Sequence, residues 1–150
     1  MRRLFGALII LACKKKASPA NGNSVQPDNG KDTLVNMTTK INGADWQTDT
    51  AYGYKIKYNG DSIKTDLLVT ATQTRRSPVS TITFTLTNYT GPGLYQVNPP
   101  WVSATYYEGN NPHFAASGQI SVESETEYGI IGTFNFIADS TNVTDGVFNV

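Results

Sequence analysis

Ser80-Thr81-Ile82-Thr83-Phe84-Thr85-Leu86-Thr87 alternates without a break. Successive side chains of an extended chain point to opposite faces. Ile82, Phe84 and Leu86 therefore share one side, and Thr81, Thr83, Thr85 and Thr87 share the other. A helix, with its period of 3.6, would scatter the same residues around its axis. The stretch reads as a half-buried β-strand with one wet face. Its β-branched and aromatic residues suit a pleated surface.

Working outward, the same period returns. Gly132–Asp139 sets Phe134, Phe136 and Ala138 against Thr133, Asn135 and Ile137. Gln119–Glu125 sets Ile120 and Val122 against Ser121 and Glu123, and Tyr52–Tyr58 sets Tyr52, Tyr54, Ile56 and Tyr58 against Gly53, Lys55 and Lys57. Asn42-Gly43 separates Met37–Ile41 from Ala44–Gln47, and Asn59-Gly60 separates Lys55–Tyr58 from Ser62–Thr70. Asn-Gly is a strong hairpin signal because both residues tolerate the positive φ of a type I′ turn. Gly91-Pro92-Gly93 and Asn110-Asn111-Pro112 mark longer turns. Asp145-Gly146 marks a bulge or turn before a last strand, Val147–Val150, whose abrupt end predicts pairing inside the sheet. No stretch beyond residue 16 forms an amphipathic helix of ten residues. The expected fold is all-β: an antiparallel sandwich or barrel of about eight to ten short strands. Trp46, just after the first hairpin, is expected in its core.

The chain's 150 residues suit one domain. Charged residues make up 16%, against roughly 25% in ordinary soluble proteins. Arg2, Arg3, Lys14, Lys15 and Lys16 concentrate positive charge at the start, whereas residues 34–150 hold six basic and ten acidic side chains. A mildly acidic domain argues against nucleic acid as a partner. One cysteine and one histidine cannot make an internal disulfide or a Cys/His zinc site within one chain.

The first residues, MRRLFGALIILAC, place two arginines before an apolar run, Leu4–Ala12, and a small residue, Ala12, before Cys13. These are the parts of an export signal. The run would span about 14 Å as a helix, less than half of a hydrocarbon core of about 30 Å. Ile10-Leu11-Ala12-Cys13 resembles a bacterial lipobox. That resemblance implies removal of residues 1–12 and a diacylglyceryl thioether on Cys13, the bond requiring a strong sulfur nucleophile. Each buried methylene contributes about 0.8 kcal/mol, so two or three acyl chains make a lasting anchor. Lys14, Lys15 and Lys16 would each add about 1 kcal/mol beside an anionic surface. Residues 13–33 then form a flexible tether: KKKASPANGNSVQPDNGKDT, which follows Cys13, has almost no bulky apolar residues to bury. It would span about 25 Å as a coil. Residues 34–150 make the single β-domain.

Met37-Thr38-Thr39-Lys40-Ile41-Asn42-Gly43-Ala44-Asp45-Trp46 resembles the opening hairpin of small β-rich lipoproteins common in Bacteroidetes. Gly132-Thr133-Phe134-Asn135-Phe136 and Val143-Thr144-Asp145-Gly146-Val147-Phe148 resemble that family's last two strands. The resemblance implies a cell-envelope lipoprotein and no particular chemistry. Surface-exported members often carry acidic residues just after the lipidated cysteine. Lysines stand there in this chain, which points to the outer membrane's periplasmic side.

The chemistry-bearing residues are sparse. His113, read in a loop at Asn110–Phe114, would have to serve any Ser-His-Asp arrangement, and no Gly-x-Ser-x-Gly elbow accompanies it. Glu123, Glu125 and Glu127 read as a solvated edge that blocks aggregation rather than as an acid–base pair. Asp139–Gly146 offers oxygen ligands without EF-hand spacing and reads as a polar turn. No catalytic residue, metal or cofactor is assigned. Tyr95, Trp101, Tyr106 and Tyr107 cluster in Gly93–Gly109 around Pro99-Pro100. Exposed rings of this kind stack on sugars or anchor a protein partner; buried, they fill the core. The expected function is a non-catalytic binding or interaction domain, with a glycan or an envelope protein as partner. The alternatives are a carbohydrate-binding module using these rings, a structural envelope protein, and a hydrolase. The sequence does not specify an oligomeric state.

Overall fold

The computed structural model describes residues 36–58 and 64–150. The expected signal segment, Cys13, the expected tether and the expected Asn59-Gly60 turn lie outside the described residues. The rest is all-β. Its ten strands are β1 Asn36–Ile41, β2 Ala44–Gln47, β3 Thr50–Tyr58, β4 Lys64–Gln73, β5 Ser80–Leu86, β6 Gly93–Gln96, β7 Val102–Glu108, β8 Asn111–Glu125, β9 Ile130–Ala138 and β10 Thr141–Asn149. All pairings are antiparallel. They run β2-β1-β10-β9-β8-β7-β5-β4-β3, with β6 set against β8.

That order forces curvature. β2 and β3 stand at opposite ends of it, yet only Thr48 and Asp49 join them. A two-residue link, three Cα steps, spans at most about 11 Å, whereas nine strands laid flat would spread about 38 Å. The sheet therefore curls until its ends meet, as a half-barrel. β8 makes the corner. Its first residues pair with β7, its later ones with β6, and β9 follows it from Ala115. Its register against β9 shifts between Ala115 and Ser117, and at Gly118 just beyond, φ is +147° and a Cβ would sit 2.3 Å from the Asn135 carbonyl oxygen. Only glycine allows that approach.

The inner faces close over one core. Phe84 of β5 meets Phe134 of β9 at 5.7 Å and Phe148 of β10 edge-on at 5.2 Å between ring centroids. Met37, Leu67, Ile82, Leu86, Ile120 and Val143 are fully buried around them. Such aromatic pairs add about 0.5–1.5 kcal/mol beyond the area they bury. The alternation read in Ser80–Thr87 holds: every second residue of β5 is buried, and Thr81, Thr83 and Thr85 are half-buried on the far side. Asn42 and Gly43 adopt φ of +51° and +82°, the expected I′ turn. Trp46 is buried, and its Nε1–H donates to Ser80 Oγ at 2.8 Å.

Three local readings need correction. Asn111 and Pro112 do not continue a long turn; they open β8, opposite Glu108 and Tyr107. Pro112 is tolerated because a proline near a strand's start need not donate to the neighbouring strand. His113 consequently lies on a strand and not in a loop. Asp139–Gly146 is a turn only at Asp139-Ser140; β10 begins at Thr141, and Asp145-Gly146 is a bulge inside it. The C-terminus is held at both ends of one residue: Val150 N–H donates to Ile130 O at 3.0 Å, and Val150 O accepts from Ile130 N–H at 2.6 Å.

Candidate functional site

The seam where the curled sheet's ends meet forms a polar cleft of about 640 Å³. Its groups mostly bond to one another. Gln73 Nε2 donates to Gln47 O at 2.9 Å, taking the place of a neighbouring strand on the free edge of β2. Asp49 Oδ2 accepts from Thr74 N–H at 2.6 Å, Thr74 Oγ1–H at 2.9 Å and Arg75 N–H at 3.0 Å, and Arg75 Nε pairs with Oδ1 at 2.8 Å. The Thr74 N–H, ahead of the other donors, holds the Asp49 carboxyl below its ordinary range. Lys40 pairs with Asp145 at 3.0 Å, and that hydrogen bond raises its ammonium pKa. Among the described residues no buried side-chain polar atom lacks a partner. The cleft is a closure of the sheet whose buried polar groups are paired, while the charged side chains at its rim, Arg75 above all, stay exposed.

Two further clusters lie apart from it. Lys55 pairs with Glu125, whose other oxygen accepts from Tyr89 OH at 2.8 Å. Burial pushes the Tyr89 phenol up. Glu125 is thus tied across the sheet, unlike the solvated edge residue expected from its spacing. His113 Nδ1 lies 3.0 Å from Asp139 Oδ2, and its ring packs on Tyr106. Neither His113 nor Asp139 lines the cavities of about 640, 220 and 250 Å³.

The four rings singled out from sequence do not converge. Tyr106 points inward and is buried, which raises its hydroxyl pKa. Tyr107, one residue on, is half-buried on the opposite face. Tyr95 lies half-buried on β6, its OH donating to Gly91 O at 2.5 Å and its ring 5.8 Å from Tyr89. Trp101 is 57% exposed in the turn before β7.

A different surface assembles instead, the outer face of β3, β4, β5 and β7. Register aligns its side chains in rows. Tyr52, Thr70, Thr83 and Thr105 form one row, which Phe114 of β8 extends. On one flank lie Thr50, Thr72, Thr81 and Tyr107; on the other lie Tyr54, Leu68, Thr85 and Ser103. Hydroxyls meet across strands, Thr70 with Thr83 at 3.2 Å and Thr72 with Thr81 at 3.1 Å. Tyr52 and Tyr54 are 52% and 51% exposed, their rings 6.1 Å apart and within 22° of parallel.

The tyrosines face outward because of the residue between them. A Cβ on Gly53 would stand 2.7 Å from Val150 Cγ2. The Val150 side chain stands against the inner side of β3 there and would have to shift to admit a larger residue. Lys55 and Lys57 follow on that same side and border the small cavity with Tyr89 and Glu125. Inward-pointing lysines on an edge strand also hinder pairing with another chain. Tyr52 and Tyr54 were visible in the sequence as an alternating pair, but their direction was not. No family model, curated protein or solved structure matches this chain.

Proposed function

We propose that this chain is a non-catalytic binding domain of the cell envelope, anchored by lipid on Cys13 and facing the periplasm. Its ligand seats on the outer face of β3, β4, β5 and β7. One observation carries the reading: Tyr52 and Tyr54 hold parallel, half-exposed rings beside rows of threonine hydroxyls. Rings are the commonest anchors of binding surfaces, joining large contact area to few rotatable bonds. The lipobox-like Ile10–Cys13 and the resemblance of both chain ends to Bacteroidetes lipoproteins support the anchor.

Two measurements on one strain test this. Cys13→Ser is expected to release the protein from membranes or leave it uncleaved; a mature mutant that still fractionates with membranes removes the anchor. Tyrosine nitration mapped by mass spectrometry tests the face. Tyr52 and Tyr54 should react readily in the purified protein and be protected on intact envelopes, with Tyr128, 78% exposed, reactive in both. Equal reactivity of Tyr52 and Tyr54 in the two settings removes the binding face.

A further inference from the structure

We infer that the ligand of this face is a neutral glycan chain lying across the strands, an inference that rests on the binding reading above. Charge is the first argument. None of the residues in the three rows carries a formal charge at neutral pH. The two lysines of β3 with described side chains, Lys55 and Lys57, lie on its other side, where Glu125 holds Lys55. Nucleic acids and acidic polysaccharides are captured by rows of cations, and the three rows hold none among their described residues; the next row along β4 carries the carboxylate of Asp66.

Polarity is the second. A wholly apolar ligand, such as an acyl chain, would cover the threonine hydroxyls without bonding to them. Each buried, unpaired hydroxyl costs about 1–3 kcal/mol. In each cross-strand pair, one O–H serves the partner and the other remains free, together with unused lone pairs. The face thus offers donors and acceptors side by side, next to two flat apolar rings. A pyranose matches both demands, with C–H groups on its faces and hydroxyls around its rim.

Shape is the third. Small molecules are held in concave sites that bury most of their surface. Here the floor is a sheet face whose rows cross three strand spacings from β3 to β7, about 14 Å. Such a strip suits several sugar units of a chain better than one free sugar.

The test uses the full-length chain in detergent micelles. Its probes are neutral hexaoses (cellohexaose, xylohexaose and mannohexaose), with an oligogalacturonate as the acidic comparison, and binding is read by titration calorimetry. At least one neutral chain is expected to bind, with an affinity unchanged from low to high salt. The Tyr52→Ala, Tyr54→Ala double variant should lose about tenfold or more, roughly 1.4 kcal/mol. Thr83→Val keeps the side-chain shape and removes one hydroxyl; it should weaken binding by about threefold to tenfold. Circular dichroism reports whether each variant is folded. Binding of the oligogalacturonate alone, lost at high salt, overturns the inference. So does neutral binding that ignores both variants. If no probe binds while Tyr52 and Tyr54 are protected on envelopes, the glycan class fails and the binding face stands.

Discussion

β5 and β3 belong to the same curled sheet, separated only by β4, and both alternate bulky with smaller or polar residues. β5 turns Ile82, Phe84 and Leu86 into the core and leaves threonines outside. β3 does the reverse, setting Tyr52, Tyr54 and Ile56 in solvent, with Ala51 buried on the inner side and Gly53 set against Val150. A period of two declares a strand but not its direction. Direction is decided by what stands opposite. For β5 that is a gap between Phe134 and Phe148 that only a large ring fills. For β3 it is Val150, already against the backbone. Leaving rings outside gives up part of their burial free energy, about 25 cal/mol per Å² of apolar surface. Trp101, Phe114 and Tyr128 are also exposed, but Tyr52 and Tyr54 are the pair whose rings stack side by side on one strand.

The largest effect should come from truncating one ring on each strand. Phe84→Ala is expected to lose about 3–5 kcal/mol of stability, because it removes contacts to both partner rings and leaves a cavity. Tyr54→Ala should stay within about 0.5 kcal/mol, as surface substitutions do. Urea denaturation of both variants measures the contrast. A comparable loss at Tyr54 would mean that the outer face of β3 is covered in the folded protein.

A middle-sized effect tests what sets the direction of β3. Gly53→Val drives a side chain into Val150 and should cost about 1–3 kcal/mol, as overpacking does. Val150→Ala in the same chain should return part of that loss, a coupling that a double-mutant cycle reads directly. If Gly53→Val is as stable as the parent, Val150 does not hold the tyrosines outward.

The contrast also marks how far the residues alone could be read. Local chemistry was legible: the I′ turn from Asn42-Gly43, the buried side of β5, the aromatic side of β9 and the burial of Trp46 all follow from spacing or turn preference. What escaped reading depends on residues far apart in the chain. The outward turn of Tyr52 and Tyr54 is set by Val150. The strand placement of His113 was hidden by Pro112, which reads as a turn until Tyr107 is seen opposite. The engagement of Glu125 needs Lys55 from β3 and Tyr89 from the loop after β5. Of the four rings chosen from Gly93–Gly109, only Tyr107 joins the three-row face, because the adjacent Tyr106 must point the other way.

The smallest expected effect concerns how β3 is held at its start. Asp49 precedes Thr50 directly, and its carboxylate gathers the N–H groups of Thr74 and Arg75 just past the end of β4. It thereby pins the Thr50–Thr72 register and with it the side to which every later residue of β3 points. These donors favour the charged form, so its folded pKa lies below the ordinary value near 3.8. The sign follows by linkage: this contribution is fully present above the unfolded value and fades as pH falls through the folded one. Asp49→Asn should therefore lower stability modestly near neutrality, where the contribution is fully present, and flatten the acid limb below about pH 4, where the parent has lost it too. Because Asp49 serves β3 and not β5, acid should speed amide exchange along Thr50–Tyr58 before Ser80–Leu86 in the parent, and the order should weaken in the variant. Simultaneous loss of protection in both strands at every pH would show that β3 is pinned by its packing on β4 and not by this carboxylate.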